Sequence, residues 1–378
     1  MSVKVAVVAG VCVRRDAISN VVRLQEQVLA EAGHEVRVYT HHTDYPSPDH
    51  VEVTDAWILQ RDRWYREADV VIYHFGIQYG LFDALQLPRE RGVNVVRFHN
   101  VTPADLLTGR SREQALKGID QISIATHADE VWTDSEHNAH CLLEWADVDP
   151  ARVSTMQLCV PWATEDAIAA RQGRPHDPST IRLIAVGRLV AAKGQHDLLD
   201  ALALLPPEQR VGLDVELIGS LEQSDPAYID RIAASIDEQG LGDTVRLALD
   251  LSDDELRSRF EHADVFVSPS HHEGFCVPVV EALVAGCAVV VTDAGALPDT
   301  LGPCGTVVPT ADPAALASAL ATEFDALRSG VTTVSRQIVV EHLEQFSLGA
   351  FRTRLLDGID RLVAGEPPAG SERLPAVG

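Results

Sequence analysis

Two glutamates in the second half of the chain lie in a segment with the features of an anion-binding turn. Glu273 and Glu281 are eight residues apart in SPSHHEGFCVPVVEALVAG, and Pro278 stands between them where a helix should begin. Proline suits the first helical position because its missing N–H has no partner there. The free amides from about Phe275 to Val279, with the helix dipole, predict a site for a diphosphate. Both carboxylates can accept hydrogen bonds from the vicinal hydroxyls of a sugar.

A pair of basic residues precedes this segment. Arg188 and Lys193 are five residues apart in VGRLVAAKG, where the predicted strand Arg182–Val186 ends. The planar guanidinium and the compact ammonium group could both reach one diphosphate. Positive groups at this point would stabilise the charge that grows on a departing nucleoside diphosphate.

The elements around these motifs alternate between apolar strands and amphipathic helices. Strands that are apolar throughout indicate parallel sheets covered on both faces, so the pattern predicts two doubly wound α/β domains. The polar stretch Arg171–Thr180 is read as a linker. We therefore expect an N-terminal domain over 1–172 and a C-terminal domain over 173–347. A helix over 348–365 is expected to pack back across the junction, and 366–378 to form a disordered tail.

Composition narrows the classes of partner. The chain has 378 residues and a net charge of -25, which disfavours nucleic acid and anionic membranes because both require a basic face. The charge would attract a cationic acceptor, or it serves solubility. The sequence has no apolar run that could span a bilayer, and the first strand begins almost at the initiator Met. We expect a cytoplasmic protein.

The two motifs together resemble those of the retaining glycosyltransferases of family 4, which have the GT-B architecture of two Rossmann-like domains facing a cleft. The resemblance covers nearly the whole chain. It implies that Arg188 and Lys193 hold the diphosphate of the donor, that Glu281 holds the ribose and that Glu273 contacts the transferred sugar. The turn that assists them comprises Gly274, Phe275, Cys276 and Val277. The family usually has glycine where Cys276 stands.

The first half of the chain extends the resemblance. His99, in RFHNVTP, resembles the active-site histidine of the family, and YHFGIQYG and TDSEHN resemble the segments on either side of it. The loop after the first strand departs from the family. It has Gly10 in place of paired glycines and carries Arg14, Arg15 and Asp16. Two readings are open: this loop shapes an unusual acceptor site, or it folds differently.

The resemblance implies transfer of a hexose, with retained configuration, from a UDP- or GDP-sugar to a hydroxyl of a small soluble acceptor such as a natural product or an aminocyclitol. No other cofactor is expected. The doublets His41–His42 and His271–His272 lack the helical spacing of metal ligands, so no metal is expected either. Three alternatives remain: a polysaccharide or glycolipid glycosyltransferase, another GT-B enzyme such as a sugar-nucleotide epimerase, and a non-catalytic sugar-nucleotide binder.

Overall fold

The computed structural model describes residues 2–14, 16–163, 179–331 and 333–367. The chain divides into two compact units. The first comprises Met1–Cys159 with Gly349–Gly378, and the second comprises Val160–Leu348. Several predictions fall outside the described residues. These are the domain boundary between 172 and 173, most of the linker, Arg15, and 368–378 of the tail. The prediction of a doubly wound α/β architecture is confirmed, since each unit is built on its own parallel sheet.

A seven-stranded parallel sheet forms the centre of the first unit. Its strand order is β5-β3-β1-β6-β7-β8-β9. The strands are β1 (Lys4–Val8), β3 (Glu35–Thr40), β5 (His50–Glu52), β6 (Val70–Phe75), β7 (Val93–Phe98), β8 (Glu130–Thr133) and β9 (Val153–Thr155). Two short strands, β2 (Val11–Cys12) and β4 (His42–Thr43), pair separately. β6 is buried at every position, and all of its residues except His74 are apolar.

Most helices of the first unit begin at capping side chains. Asp16 accepts a hydrogen bond from the amide of Ser19, and Ser135 accepts one from the amide of Asn138. The helices are α1 (Ala17–Glu31), α2 (Ala56–Leu59), α3 (Arg63–Arg66), α4 (Gly109–Gln121) and α5 (Glu136–Trp145), with 3-10 turns at Gly80–Gln86, Ala104–Leu106, Ile122–His127 and Pro150–Arg152.

A six-stranded parallel sheet forms the centre of the second unit, in the order β12-β11-β10-β13-β14-β15. Its strands are β10 (Ile181–Val186), β11 (Leu213–Gly219), β12 (Val245–Leu249), β13 (Val265–Ser268), β14 (Ala288–Thr292) and β15 (Thr306–Val308). The helices are α6 (Gln195–Leu204), α7 (Pro207–Arg210), α8 (Pro226–Glu238), α9 (Asp253–His262), α10 (Val277–Ala285), α11 (Leu297–Leu301), α12 (Pro313–Arg328) and α13 (Arg336–Leu343), with 3-10 turns at Ala191–Lys193 and Glu344–Phe346.

The last described helix, α14 (Leu348–Ala364), lies in the first unit although it follows the second in sequence. Its buried residues Phe351, Leu355 and Ile359 belong to the same core as Val5 and Ile72 of the sheet. Burial of each such side chain stabilises the unit by roughly 1.5–3 kcal/mol. Among the described residues, no helix combines the length and the apolar character that crossing a bilayer requires.

Candidate active site

Strand order brings the two motifs of the second unit to one edge of the sheet. β10 and β13 are parallel neighbours, so the loops that leave their carboxyl ends lie side by side. The amide of His271 in one loop donates to the carbonyl of Ala192 in the other over 2.8 Å. Gly194 has a φ of 64°, and a Cβ there would lie 1.9 Å from the carbonyl oxygen of Pro269. The close approach of the loops therefore depends on glycine.

Lys193 and Glu273 form an ion pair between these two loops. The Nζ atom of Lys193 lies 2.5 Å from Oε1 of Glu273, and the same carboxylate oxygen accepts a hydrogen bond from the hydroxyl of Ser270 over 2.8 Å. The side chains are 20% and 10% exposed, so the pair is screened from most of the solvent. The resemblance assigned these residues to separate parts of a donor, and the structure joins them directly.

Arg188 leaves the same strand as Lys193 but has different surroundings. Its side chain is exposed and makes no hydrogen bond, ion pair or ring contact with any residue that the structure describes. Its carbonyl accepts a hydrogen bond from Nε2 of Gln195 over 3.0 Å, which fixes the backbone of the loop. The backbone of Arg188 is thus fixed at the carboxyl edge of the sheet, and the donors of its guanidinium are unengaged by the described residues.

The helix after Glu273 begins one residue earlier than predicted. α10 starts at Val277, so Pro278 occupies its second position. The amide of Val279 donates to the carbonyl of Cys276 over 3.1 Å. This corrects the prediction that the Val279 amide is free for an anion, because the first turn already uses it. The amides of Phe275, Cys276 and Val277 have no acceptor among the described residues.

Cys276 adopts a backbone conformation that favours glycine. Its φ is 76°, in the left-handed region, where a side chain costs about 1 kcal/mol. The usual glycine of the family at this position is explained by this geometry. The thiol is buried and lies 3.8 Å from the hydroxyl of Ser268. Burial raises the pKa of the Cys276 thiol, so it is neutral at physiological pH.

Glu281 occupies an environment that favours its protonated form. Burial raises the pKa of the Glu281 carboxyl to about 7, a hydrogen bond with Trp162 opposes the shift, and the charge of Asp253 adds to it. A carboxyl with this pKa can both donate to and accept from a ligand hydroxyl near neutral pH. Sequence reasoning did not find Trp162, which lies far from the motif in the chain.

His99 is held by a buried carboxylate at the end of β7. Its Nδ1 lies 2.7 Å from Oδ2 of Asp134, and Oδ1 of Asp134 accepts a hydrogen bond from the buried Arg97 over 3.0 Å. Burial would raise the pKa of Asp134, but the charges of His99 and Arg97 outweigh it and hold the pKa below its usual value. Asp134 is therefore ionised and orients the imidazole.

A second histidine contacts the other side of His99. Nδ1 of His74 lies 2.9 Å from Nε2 of His99, and Nε2 of His74 lies 2.7 Å from Oε1 of Gln25. Burial lowers the pKa of His74 well below its usual value, so His74 is neutral. Sequence reasoning missed both His74 and Asp134 as individual residues. The available signal was their position in YHFGIQYG and TDSEHN, the two segments that flank His99 in the resemblance.

The loop after β1 is fixed by local contacts. A Cβ on Gly10 would lie 3.3 Å from the side chain of Tyr79, a tight contact. Arg14 is exposed and its amide donates to Asp44, whereas Asp16 caps α1. Asp16 thus has a structural role, and Arg15 lies outside the described residues.

Comparison with known proteins relates this architecture to sugar transfer. Residues 166–323 match the family model described as glycosyl transferases group 1. The chain is 31% identical over 269 residues to a D-inositol 3-phosphate glycosyltransferase from Mycolicibacterium gilvum. The aligned region covers 70% of this chain and 59% of that protein. The chain thus spans about three fifths of the length of this curated relative.

Solved structures share the fold over nearly the whole chain. Sucrose-phosphate synthase from Thermosynechococcus elongatus superposes with a TM-score of 0.70 at 19% identity, covering 96% of this chain and all of that one. HepE from Anabaena in complex with UDP-glucose gives a TM-score of 0.67 at 15% identity, covering 95% and 99%. The fold is that of the GT-B glycosyltransferases. The chain is similar to the glycosyl transferases group 1 over residues 166–323, within the second unit.

Proposed function

We propose that the chain is a retaining hexosyltransferase that moves a sugar from a UDP- or GDP-sugar to a hydroxyl of a small soluble acceptor. The observation that carries the proposal is the Lys193–Glu273 ion pair. It lies at the edge of the sheet from which Arg188 also leaves, and in the loop that leads into α10. A cation pair and a helix N-terminus at the carboxyl end of parallel strands suit a diphosphate.

The ion pair suits a nucleotide-sugar donor, in which a charged diphosphate is joined to a neutral sugar. Lys193 has three donors, so it can contact a phosphate oxygen while it keeps one hydrogen bond to Glu273. The Glu273 carboxylate, oriented by Ser270 and Lys193, can accept from a sugar hydroxyl with its second oxygen. Glu281 would hold the ribose, with a carboxyl that can donate as well as accept.

The proposed reaction substitutes at the anomeric carbon on the face from which the diphosphate departs. The bond from the anomeric carbon to the β-phosphate oxygen breaks, and a bond to the acceptor oxygen forms. The proton of the acceptor hydroxyl goes to the departing phosphate. Arg188, Lys193 and the free amides of the α10 turn would stabilise the leaving group, so catalysis rests on positioning and electrostatics. His99, oriented by Asp134, is assigned to the transferred sugar, as the resemblance implies.

Two observations bear on the acceptor. The relative from Mycolicibacterium gilvum has the name D-inositol 3-phosphate glycosyltransferase, which points to a cyclitol. The net charge of -25 favours a cationic molecule over an anionic one. Together these two observations favour an aminocyclitol over an inositol phosphate as the acceptor.

The experiment that tests the proposal measures nucleotide release from UDP- and GDP-hexoses with an aminocyclitol, with an inositol phosphate and without acceptor. We expect release that depends on the aminocyclitol, and an anomeric proton coupling in the product that matches the donor. Release without acceptor would favour a hydrolase, whereas conversion of the donor to its epimer with no net release would favour a sugar-nucleotide epimerase. Donor binding without release on any acceptor would favour a non-catalytic binder.

A further inference from the structure

Three potential metal ligands lie together beside the proposed donor site. Nε2 of His271 is 2.5 Å from Oδ2 of Asp197, and Nε2 of His196 is 3.6 Å from Oδ1 of the same carboxylate. The ligand atoms of all three residues lie within 4.8 Å of one another. Their side chains are between 13% and 31% exposed, so an ion could enter from solvent.

The donor set and its spacing fit one divalent ion. Two imidazole nitrogens and one carboxylate oxygen are ligands that Zn²⁺ prefers, at roughly 2.0–2.2 Å. In a tetrahedron of that size the ligand atoms lie roughly 3.4 Å apart. The observed separations of 2.5 Å and 3.6 Å bracket this value.

A neighbouring hydroxyl orients one of the ligands. The hydroxyl of Tyr228 lies 2.9 Å from Nδ1 of His196, on the ring nitrogen opposite the cluster. When Nδ1 carries the proton and donates to Tyr228, the lone pair of Nε2 faces Asp197 and His271. A hydrogen bond of this kind to the outer nitrogen is the usual support for a metal-bound histidine.

The backbone holds the ligand-bearing segments together independently of these side chains. His196 and Asp197 lie in the first turn of α6, and His271 lies in the loop after β13. The two segments are joined by the hydrogen bond from the amide of His271 to the carbonyl of Ala192, and by the close contact at Gly194. The three ligand atoms are therefore brought together before any ion binds, which lowers the entropic cost of binding.

We propose that His196, Asp197 and His271 bind one Zn²⁺ ion, with water as the fourth ligand. The spacing of the His271–His272 doublet led us to expect no metal. The proposed site differs from that expectation because two of its ligands come from a distant segment of the chain. The ion would cross-link the segment that carries Lys193 to the loop that carries Glu273. Its role is to fix these loops, so the proposal does not depend on the sugar-transfer chemistry.

The test is metal binding to the full chain prepared without a histidine tag. Zn²⁺ affinity is measured by competition with a chromophoric chelator, and Co²⁺ is substituted to record the visible absorption of a four-coordinate site. We expect one equivalent of Zn²⁺, and a loss of affinity of at least about 100-fold in each of His196→Asn, Asp197→Asn and His271→Asn. His272→Asn, the adjacent residue in the same loop, is the matched control and should bind as the wild type does.

Two results would overturn the site. One is wild-type protein that binds no Zn²⁺ at micromolar concentrations. The other is binding that survives in all three variants, which would locate the ion on other surface histidines. Circular dichroism shows whether each variant folds, and a single variant that fails to fold leaves the other two to decide. The Co²⁺ spectrum gives a readout that does not depend on enzyme activity.

Discussion

The ammonium group of Lys193 lies 2.5 Å from the carboxylate of Glu273, which is 80 residues away in the chain. The two residues belong to separate sequence motifs, and the structure shows that their side chains interact directly. In the absence of a donor each charge satisfies the other in a partly buried position. A buried carboxylate that loses its cationic partner carries a large desolvation cost, so the pair has consequences for stability as well as for binding.

The first prediction concerns that coupling. Lys193→Met should destabilise the protein by about 1–3 kcal/mol, because it leaves Glu273 without its charge partner. Lys193→Met with Glu273→Gln should recover most of the loss, since no charge is then unpaired. Urea denaturation of both single variants and the double variant measures the coupling energy. Additive effects in this cycle would show that the two side chains do not interact in solution.

A second prediction follows from the pKa of about 7 at Glu281. The folded-state pKa is raised above the ordinary value of 4.5, so folding favours the protonated carboxyl. The free energy of unfolding should therefore fall as the pH rises from about 4.5 to about 7, by at most about 3 kcal/mol. Glu281→Gln should remove this dependence, and it should be more stable than the wild type at pH 8 but not at pH 4.

A second substitution at Glu281 separates stability from binding. If Glu281 holds the ribose, Glu281→Ala should weaken the binding of the nucleotide in calorimetry, whereas turnover at saturating donor changes less. An unchanged dissociation constant would remove the ribose role. Thermal unfolding across the pH range serves as the stability control in both variants.

A third prediction concerns His99 and Asp134. His99→Asn should lower turnover by about 100-fold by misplacing the sugar, and should leave UDP or GDP affinity unchanged, because the residues assigned to the diphosphate lie in the other unit. Asp134→Asn should lower turnover similarly, and should also destabilise the fold by about 3–5 kcal/mol because Arg97 stays buried without its partner. Wild-type turnover in His99→Asn would exclude the assignment.

The doubly wound fold could be predicted because its signals are local. The β6 and β14 strands are mostly apolar, and the helices between strands have one apolar face. The short edge strands β5 and β9 and the polar helix α4 escaped prediction. Each of the two strands has three residues and the helix has thirteen, and few of these residues are both apolar and buried.

The residues of the site were easier to identify than their partners. Glu273 and Lys193 stand in motifs, but their pairing depends on β10 and β13 being neighbours, and strand order is not written in local patterns. The same holds for Asp134 beside His99 and for Trp162 beside Glu281. Cysteine itself gives no signal for the αL conformation at Cys276, and the only sign of it was the glycine that the family usually has at this position.

The central claim is that Arg188 and Lys193 bind a diphosphate, and calorimetry with UDP, UMP, GDP and GMP tests it most directly. We expect the wild type to prefer one diphosphate to its monophosphate by about 100-fold or more. Arg188→Ala and Lys193→Ala should each lose at least about tenfold of the diphosphate affinity while monophosphate affinity stays the same. Arg182→Ala, an exposed arginine at the opposite end of β10, should behave as the wild type. Diphosphate affinity that is unchanged in both variants, in folded protein, would contradict the claim.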